Sequence, residues 1–114
     1  MGLLMDIKYE MQDIQDIFLD VKDEFGLYRY EGDDNSRNGL FYSITQLGHH
    51  IKLWIANIED WRYSYDVDSE GGKKLDVITS SGVLRDFENR LRNMGYTLER
   101  SKNLPYYEII IKFS

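Results

Sequence analysis

No cysteine occurs among the 114 residues, which excludes a disulfide framework, a thiolate-ligated metal and a cysteine nucleophile, and makes a reducing compartment, the cytoplasm, the expected home. Long hydrophobic runs are missing too. The longest apolar stretches are a few residues, far short of the roughly 20 that a membrane-spanning helix needs. The opening Met1-Gly2-Leu3-Leu4-Met5-Asp6 lacks the basic and small-residue pattern of a signal peptide, and Asp6 stands where a myristoylation site would carry Ser or Thr. No membrane anchor is expected.

Basic charge is also scarce. Lys and Arg number 14 against 20 Asp and Glu, a net charge of −6, which argues against sequence-independent binding to phosphates. The deficit is uneven: residues 1–82 carry 8 basic against 16 acidic side chains, whereas residues 83–114 carry 6 against 4. Any contact with phosphate would come from the last third.

Several catalytic signatures are absent as well. No G-x-S-x-G nucleophile elbow occurs, and the Gly32 to Gly39 loop fits neither G-x-x-x-x-G-K-[ST] nor G-x-G-x-x-G, while Asp33 and Asp34 would repel a phosphate. The only histidines, His49 and His50, are adjacent at a strand entry, where neighbouring side chains point to opposite faces and one site could recruit only one of them. Asp66-Val67-Asp68-Ser69-Glu70-Gly71 reproduces the opening of an EF-hand loop, but its twelfth position is Val77 instead of a bidentate carboxylate, and Lys73 and Lys74 neutralise the cluster. These residues read as a solvated hairpin tip, and no cofactor is expected.

What the chain does have is enough apolar material for one core. Apolar residues make up 42% and charged residues 30%, a globular composition well away from the disordered regime. A chain of this size buries roughly two thirds of its surface. No linker, repeat or low-complexity tract interrupts it, so residues 1–114 are expected to form a single domain.

From Asp6 to Phe25 the apolar residues Ile7, Met11, Ile14, Phe18, Val21 and Phe25 recur at spacings of three and four, predicting a helix that stops at Gly26. Short aromatic and β-branched runs follow. Leu27 to Glu31 and Leu40 to Gln46 are expected to pair as a hairpin, and Ile51 to Ile58 alternates with Ile51, Leu53 and Ile55 on one face and Trp54 on the other. Trp61, Tyr63, Tyr65 and Val67 alternate as a further strand, with Lys74 to Thr79 as its partner. Ser80 and Ser81 can cap a second helix carrying Val83, Leu84, Phe87, Leu91 and Met94 up to Gly95. Tyr96 to Arg100 and Tyr106 to Phe113 close the chain as a hairpin whose Ile109-Ile110-Ile111 suits a central strand. The expected class is α+β: an antiparallel sheet of five to seven strands with two helices packed on it, in the order α-β-β-β-β-β-α-β-β.

Three surfaces stand out. On the first helix, Asp6, Glu10, Asp13, Asp20 and Glu24 fall within one sector beside the apolar stripe, with Asp16 and Asp23 extending it, and Lys8 and Lys22 lie on the other flank. Like charges so gathered cost stability unless a basic partner surface meets them. The sixteen aromatic side chains (nine Tyr, five Phe, two Trp) exceed what one small core hides, so Trp54, Trp61, Tyr63 and Tyr65, with Tyr28 and Tyr30, are candidates for partner binding or self-association. The terminal third interleaves Arg85, Arg90, Arg92, Arg100, Lys102 and Lys112 with Tyr96, Tyr106 and Tyr107, a mixture that can grip single-stranded nucleic acid, although Asp86, Glu88, Glu99 and Glu108 dilute it.

The leading expectation is a non-enzymatic acidic interaction module. It would bind a larger, basic protein that handles nucleic acid, inhibiting or regulating it by partial mimicry of nucleic acid through Glu10, Asp13, Asp16, Asp20 and Glu24. The alternative is a nucleic-acid-binding accessory protein using Arg90, Arg92, Arg100 and Lys102. A third is a metal-dependent enzyme using His49 or His50 with the carboxylates of residues 66–70.

Overall fold

The first helix, α1, runs from Leu3 to Phe25, and its end is built as the sequence requires. Gly26 adopts a φ of 61°, and the Leu27 amide reaches back to the Lys22 carbonyl at 3.0 Å, closing the helix in the six-to-one pattern that a left-handed residue permits. Val21 and Leu27, on either side of that turn, are both buried in the core. In the computed structural model the described residues are 3–31, 39–57, 70–101 and 106–113, with side chains described for 11–31, 39–57, 73–101 and 106–112.

Five strands form one sheet: β1 (Tyr28–Arg29), β2 (Leu40–Leu47), β3 (His50–Asn57), β4 (Tyr96–Arg100) and β5 (Tyr107–Phe113), in the spatial order β1-β2-β3-β5-β4. Two further helices, α2 (Glu70–Thr79) and α3 (Gly82–Asn93), lie in sequence between β3 and β4. Among the described residues the domain is therefore α+β with five strands and three helices, and none of these helices is long and apolar enough to cross a membrane.

Two strand assignments from the sequence need correction. β1 and β2 are not a hairpin but a parallel pair, with Tyr28 opposite Phe41 and Arg29 opposite Tyr42, so the sheet is mixed instead of antiparallel. Alternation fixes which face a side chain takes but says nothing of strand direction. Either direction could have put Tyr28 and Tyr30 on the face of Phe41. Residues 74–79 are the body of α2, not a strand. Leu75 and Ile78, three apart, are buried while Val77 is 62% exposed. Over six residues Leu75 and Val77 imitate a strand face as well as Leu75 and Ile78 imitate a helix face, and Gly71 and Gly72 just before them are weak helix formers. The strand proposed at residues 61–67 lies outside the described residues.

Other expectations match. β2 and β3 form an antiparallel hairpin from Leu40 opposite Asn57 to Leu47 opposite His50, and β5 lies inside the sheet, pairing with β3 on one side and β4 on the other. Ile51, Leu53, Ile55, Ile109 and Ile111 share the face under the helices and are fully buried. Against them pack Ile14, Phe18 and Val21 of α1, Leu75 and Ile78 of α2, and Leu84, Phe87 and Leu91 of α3.

The cap of α3 is Ser81, whose backbone is extended and whose hydroxyl accepts from the Leu84 amide at 3.2 Å while donating to the Ile78 carbonyl at 2.6 Å. One side chain thus ties the end of α2 to the start of α3. Ser81→Ala is expected to cost about 1 kcal/mol, read as a lower urea midpoint at unchanged slope. Ser80→Ala, whose hydroxyl meets only the exposed end of α2, should cost less; equal losses would deny Ser81 its capping role.

Candidate functional site

Winding at about 100° per residue places Asp13, Asp16, Asp20, Asp23 and Glu24 on an arc of about 100° on α1, and all five are exposed. The apolar stripe of Ile14, Phe18 and Val21 lies against the sheet and holds this arc outward. Glu10 belongs to α1, but its side chain lies outside the described set. Gln12 donates to Asp16 at 3.0 Å, and Asp20 accepts from the Arg90 guanidinium at 3.3 Å. Among the described residues that is the single ion pair made by the five carboxylates.

The partner of Asp20 comes from α3. Val83, Asp86, Phe87 and Arg90 recur at helical spacing and face Ile17, Asp20, Asp23 and Glu24 across a groove of about 470 Å³, within the roughly 300–1,000 Å³ of small-ligand clefts. Its floor is apolar, with Phe87 buried and Ile17 and Val83 half-buried. Four carboxylates and one guanidinium ring it. From the sequence alone Asp86 counts only as a diluent of basic charge, and Arg90 falls on a separate surface. The signal that joins them was the i, i+3, i+4, i+7 spacing of residues 83, 86, 87 and 90, but nothing local says which helix that face meets.

The described basic candidates each meet a neighbouring side chain. Arg90 is engaged by Asp20, Arg92 donates to Asn89 at 3.2 Å, and Arg100 sits 5.1 Å from the centroid of the Tyr107 ring. Lys102 lies outside the described residues, as do Trp61, Tyr63 and Tyr65. Trp54 does point away from the helices, as the alternation predicts, but it is only 8% exposed: with Phe41 and Ala56 it forms a second apolar cluster bordered by Tyr30 and Tyr106, so it offers little accessible surface. Tyr28 on the same face is exposed and lies 5.5 Å from the Phe41 ring.

The rest of that open face carries ion pairs. Lys52 meets Glu108 at 3.0 Å and Lys112 meets Glu99 at 2.6 Å, and the Ser101 hydroxyl donates to Glu108 at 2.6 Å. Burial would raise the Glu108 carboxyl, yet the Ser101 hydroxyl and the Lys52 ammonium outweigh it and hold the group below its ordinary value. Glu99 is also lowered, by the hydrogen bond and charge of Lys112. These contacts satisfy polar groups on the sheet.

His49 and His50 are both exposed at the β2–β3 turn. Residues 66–69 lie outside the described set, and Glu70 begins α2, not a hairpin tip. Among the described residues no three His, Asp or Glu side chains converge as a metal site. In comparison with known proteins, the chain matches no family model, no curated protein and no solved structure.

Proposed function

We propose that the protein is a non-enzymatic binding module that presents the acidic face of α1 to a basic surface on a larger protein. The observation that carries this reading is the run of five exposed carboxylates along one side of a well-anchored helix, of which, among the described residues, only Asp20 is ion-paired, to Arg90. From Asp13 to Glu24 they span about 16 Å of helix axis, one charge per roughly 4 Å. One strand of duplex DNA carries a phosphate every 3.4 Å or so. A surface built to follow phosphates would therefore meet a comparable line of charge on α1, which favours a nucleic-acid-handling protein as the partner and occupation of its binding groove as the effect.

The test is competition. A basic nucleic-acid-binding protein, pre-bound to a labelled oligonucleotide, should release it as the domain is added, with an apparent affinity that falls as salt is raised. Reversing Asp13, Asp16, Asp23 and Glu24 to lysine, which leaves the Asp20–Arg90 pair intact, should weaken competition about tenfold or more. Unchanged competition by the reversed variant would remove α1 from the interaction. The nucleic-acid-binding alternative draws on Arg92 and Arg100; direct retention of the oligonucleotide by the domain itself, lost on Arg100→Ala, would favour it instead.

A further inference from the structure

We infer that the groove between α1 and α3 is the anchoring pocket of this surface, that it takes a lysine or arginine flanked by an aliphatic residue from an amphipathic basic segment of the partner, and that Arg90 occupies the cation position when no partner is bound. The inference rests on the binding reading above and specifies it.

Three observations converge. The groove has a volume of about 470 Å³, against about 180 Å³ for the opening beside Arg100 and Tyr106. Its floor of Ile17, Val83 and Phe87 is apolar and has no polar group to satisfy, so it favours an aliphatic side chain over a bare ion or a hydrated amine. Its rim sets Asp20, Asp23, Glu24 and Asp86 against the lone Arg90, so an incoming cation is attracted while an anion meets several carboxylates. An occupant that satisfies floor and rim together is a peptide bearing both chemistries on adjacent side chains, as one face of a basic helix does.

Arg90 sets the sign of the test. Its guanidinium lies 3.3 Å from Asp20, and both side chains are more than half exposed. Such a pair is weak and exchangeable: a partner cation can take Asp20 while Arg90 swings into solvent, still attached to α3. A surface that uses Arg90 to hold phosphate would lose affinity when the residue is removed. A groove in which Arg90 stands in for the partner's cation gains affinity instead.

The measurement is fluorescence anisotropy with two labelled probes, a helical peptide carrying leucines along one face and lysines elsewhere, and an oligolysine of equal length. The amphipathic probe should bind the wild-type domain more tightly than the oligolysine, and Arg90→Ala should tighten it about two- to fivefold, the worth of an exposed ion pair. Val83→Asn should weaken the amphipathic probe about five- to tenfold while leaving the oligolysine unchanged. Amide shifts on the wild-type protein should centre on Ile17, Val83 and Phe87, a readout independent of how that variant folds. The groove is overturned if the two probes bind alike, if Arg90→Ala weakens the amphipathic probe or leaves it unchanged, or if the shifts fall elsewhere on α1. In the last case the acidic face would survive without its pocket. If neither probe responds to charge reversal of Asp13, Asp16, Asp23 and Glu24, the binding reading itself fails.

Discussion

Phe18→Ala is expected to destabilise the protein by about 3–5 kcal/mol, a large part of the total for a domain of this size. Phe18 is 1% exposed, and its ring meets two others: Tyr42 of β2 at 4.9 Å and Phe87 of α3 at 5.2 Å, the latter nearly edge-on. Aromatic pairs in these arrangements contribute beyond their buried area. The truncation therefore removes apolar surface, leaves a cavity and uncouples α1 from the sheet and from α3 at once. Urea unfolding should show the midpoint falling at a nearly constant slope. Leu19→Ala, one residue along but 46% exposed, should change stability by no more than about 0.5 kcal/mol. Similar losses at the two positions would mean that α1 is not docked through Phe18. The acidic surface depends on this contact, because only a fixed helix keeps its carboxylates in one line.

The second large effect appears in alkali. The Tyr107 hydroxyl donates to the Glu88 carboxylate at 3.0 Å, and both side chains are buried. Burial, then the negative charge of Glu88 and the hydrogen bond to it, raise the phenol well above its ordinary value, while Arg100 and Arg92 oppose the shift. In the unfolded chain the phenol ionises near pH 10. Above that pH the unfolded state holds fewer protons than the folded one, so stability falls by about 1.4 kcal/mol per pH unit from this group, and below it the contribution is intact. Between pH 10 and 12 the loss approaches about 3 kcal/mol. Tyr107→Phe should be less stable than the wild type at neutral pH by about 1–3 kcal/mol, since Glu88 loses its donor, yet it should lose less as the pH rises. The two stabilities should converge in alkali. Parallel pH dependences in urea unfolding from pH 8 to about 12 would show that the folded protein does not hold this proton.

The elements that the sequence makes legible are those with a long period or a committed terminus. α1 repeats its apolar residues through six positions and ends at a glycine whose φ is positive. α3 has Ser81 before it and Gly95 after it, and Gly95 too takes a positive φ, 97°. β2, β3 and β5 run for seven or eight residues, long enough to read as strands, and in β3 the alternation of Ile51, Leu53 and Ile55 marks the face under the helices. α2 reads as a strand in the sequence because its described core contacts are only Leu75 and Ile78, too few to choose between periods. The direction of β1 was illegible for a different reason: a two-residue strand carries no vector in its side-chain pattern. The acidic arc was visible because helical winding is a local property. The groove was not, since it needs α1 and α3 side by side, and the pairing of Asp20 with Arg90 crosses 70 positions of chain.

The position of β5 bears on how the protein is made. Ile51 of β3 pairs with Ile111, sixty positions later, and β4, though synthesised before β5, reaches the rest of the sheet only through it. At about 5–20 residues per second on the ribosome, β3 waits roughly 3–12 s for its inner neighbour. During that interval its hydrogen-bonding edge, with Ile51, Leu53 and Ile55 beside it, is open to other chains. Folding of this sheet is thus gated by the last of its described strands, and the nascent chain is most exposed to aggregation when nearly all of its core residues have already been synthesised.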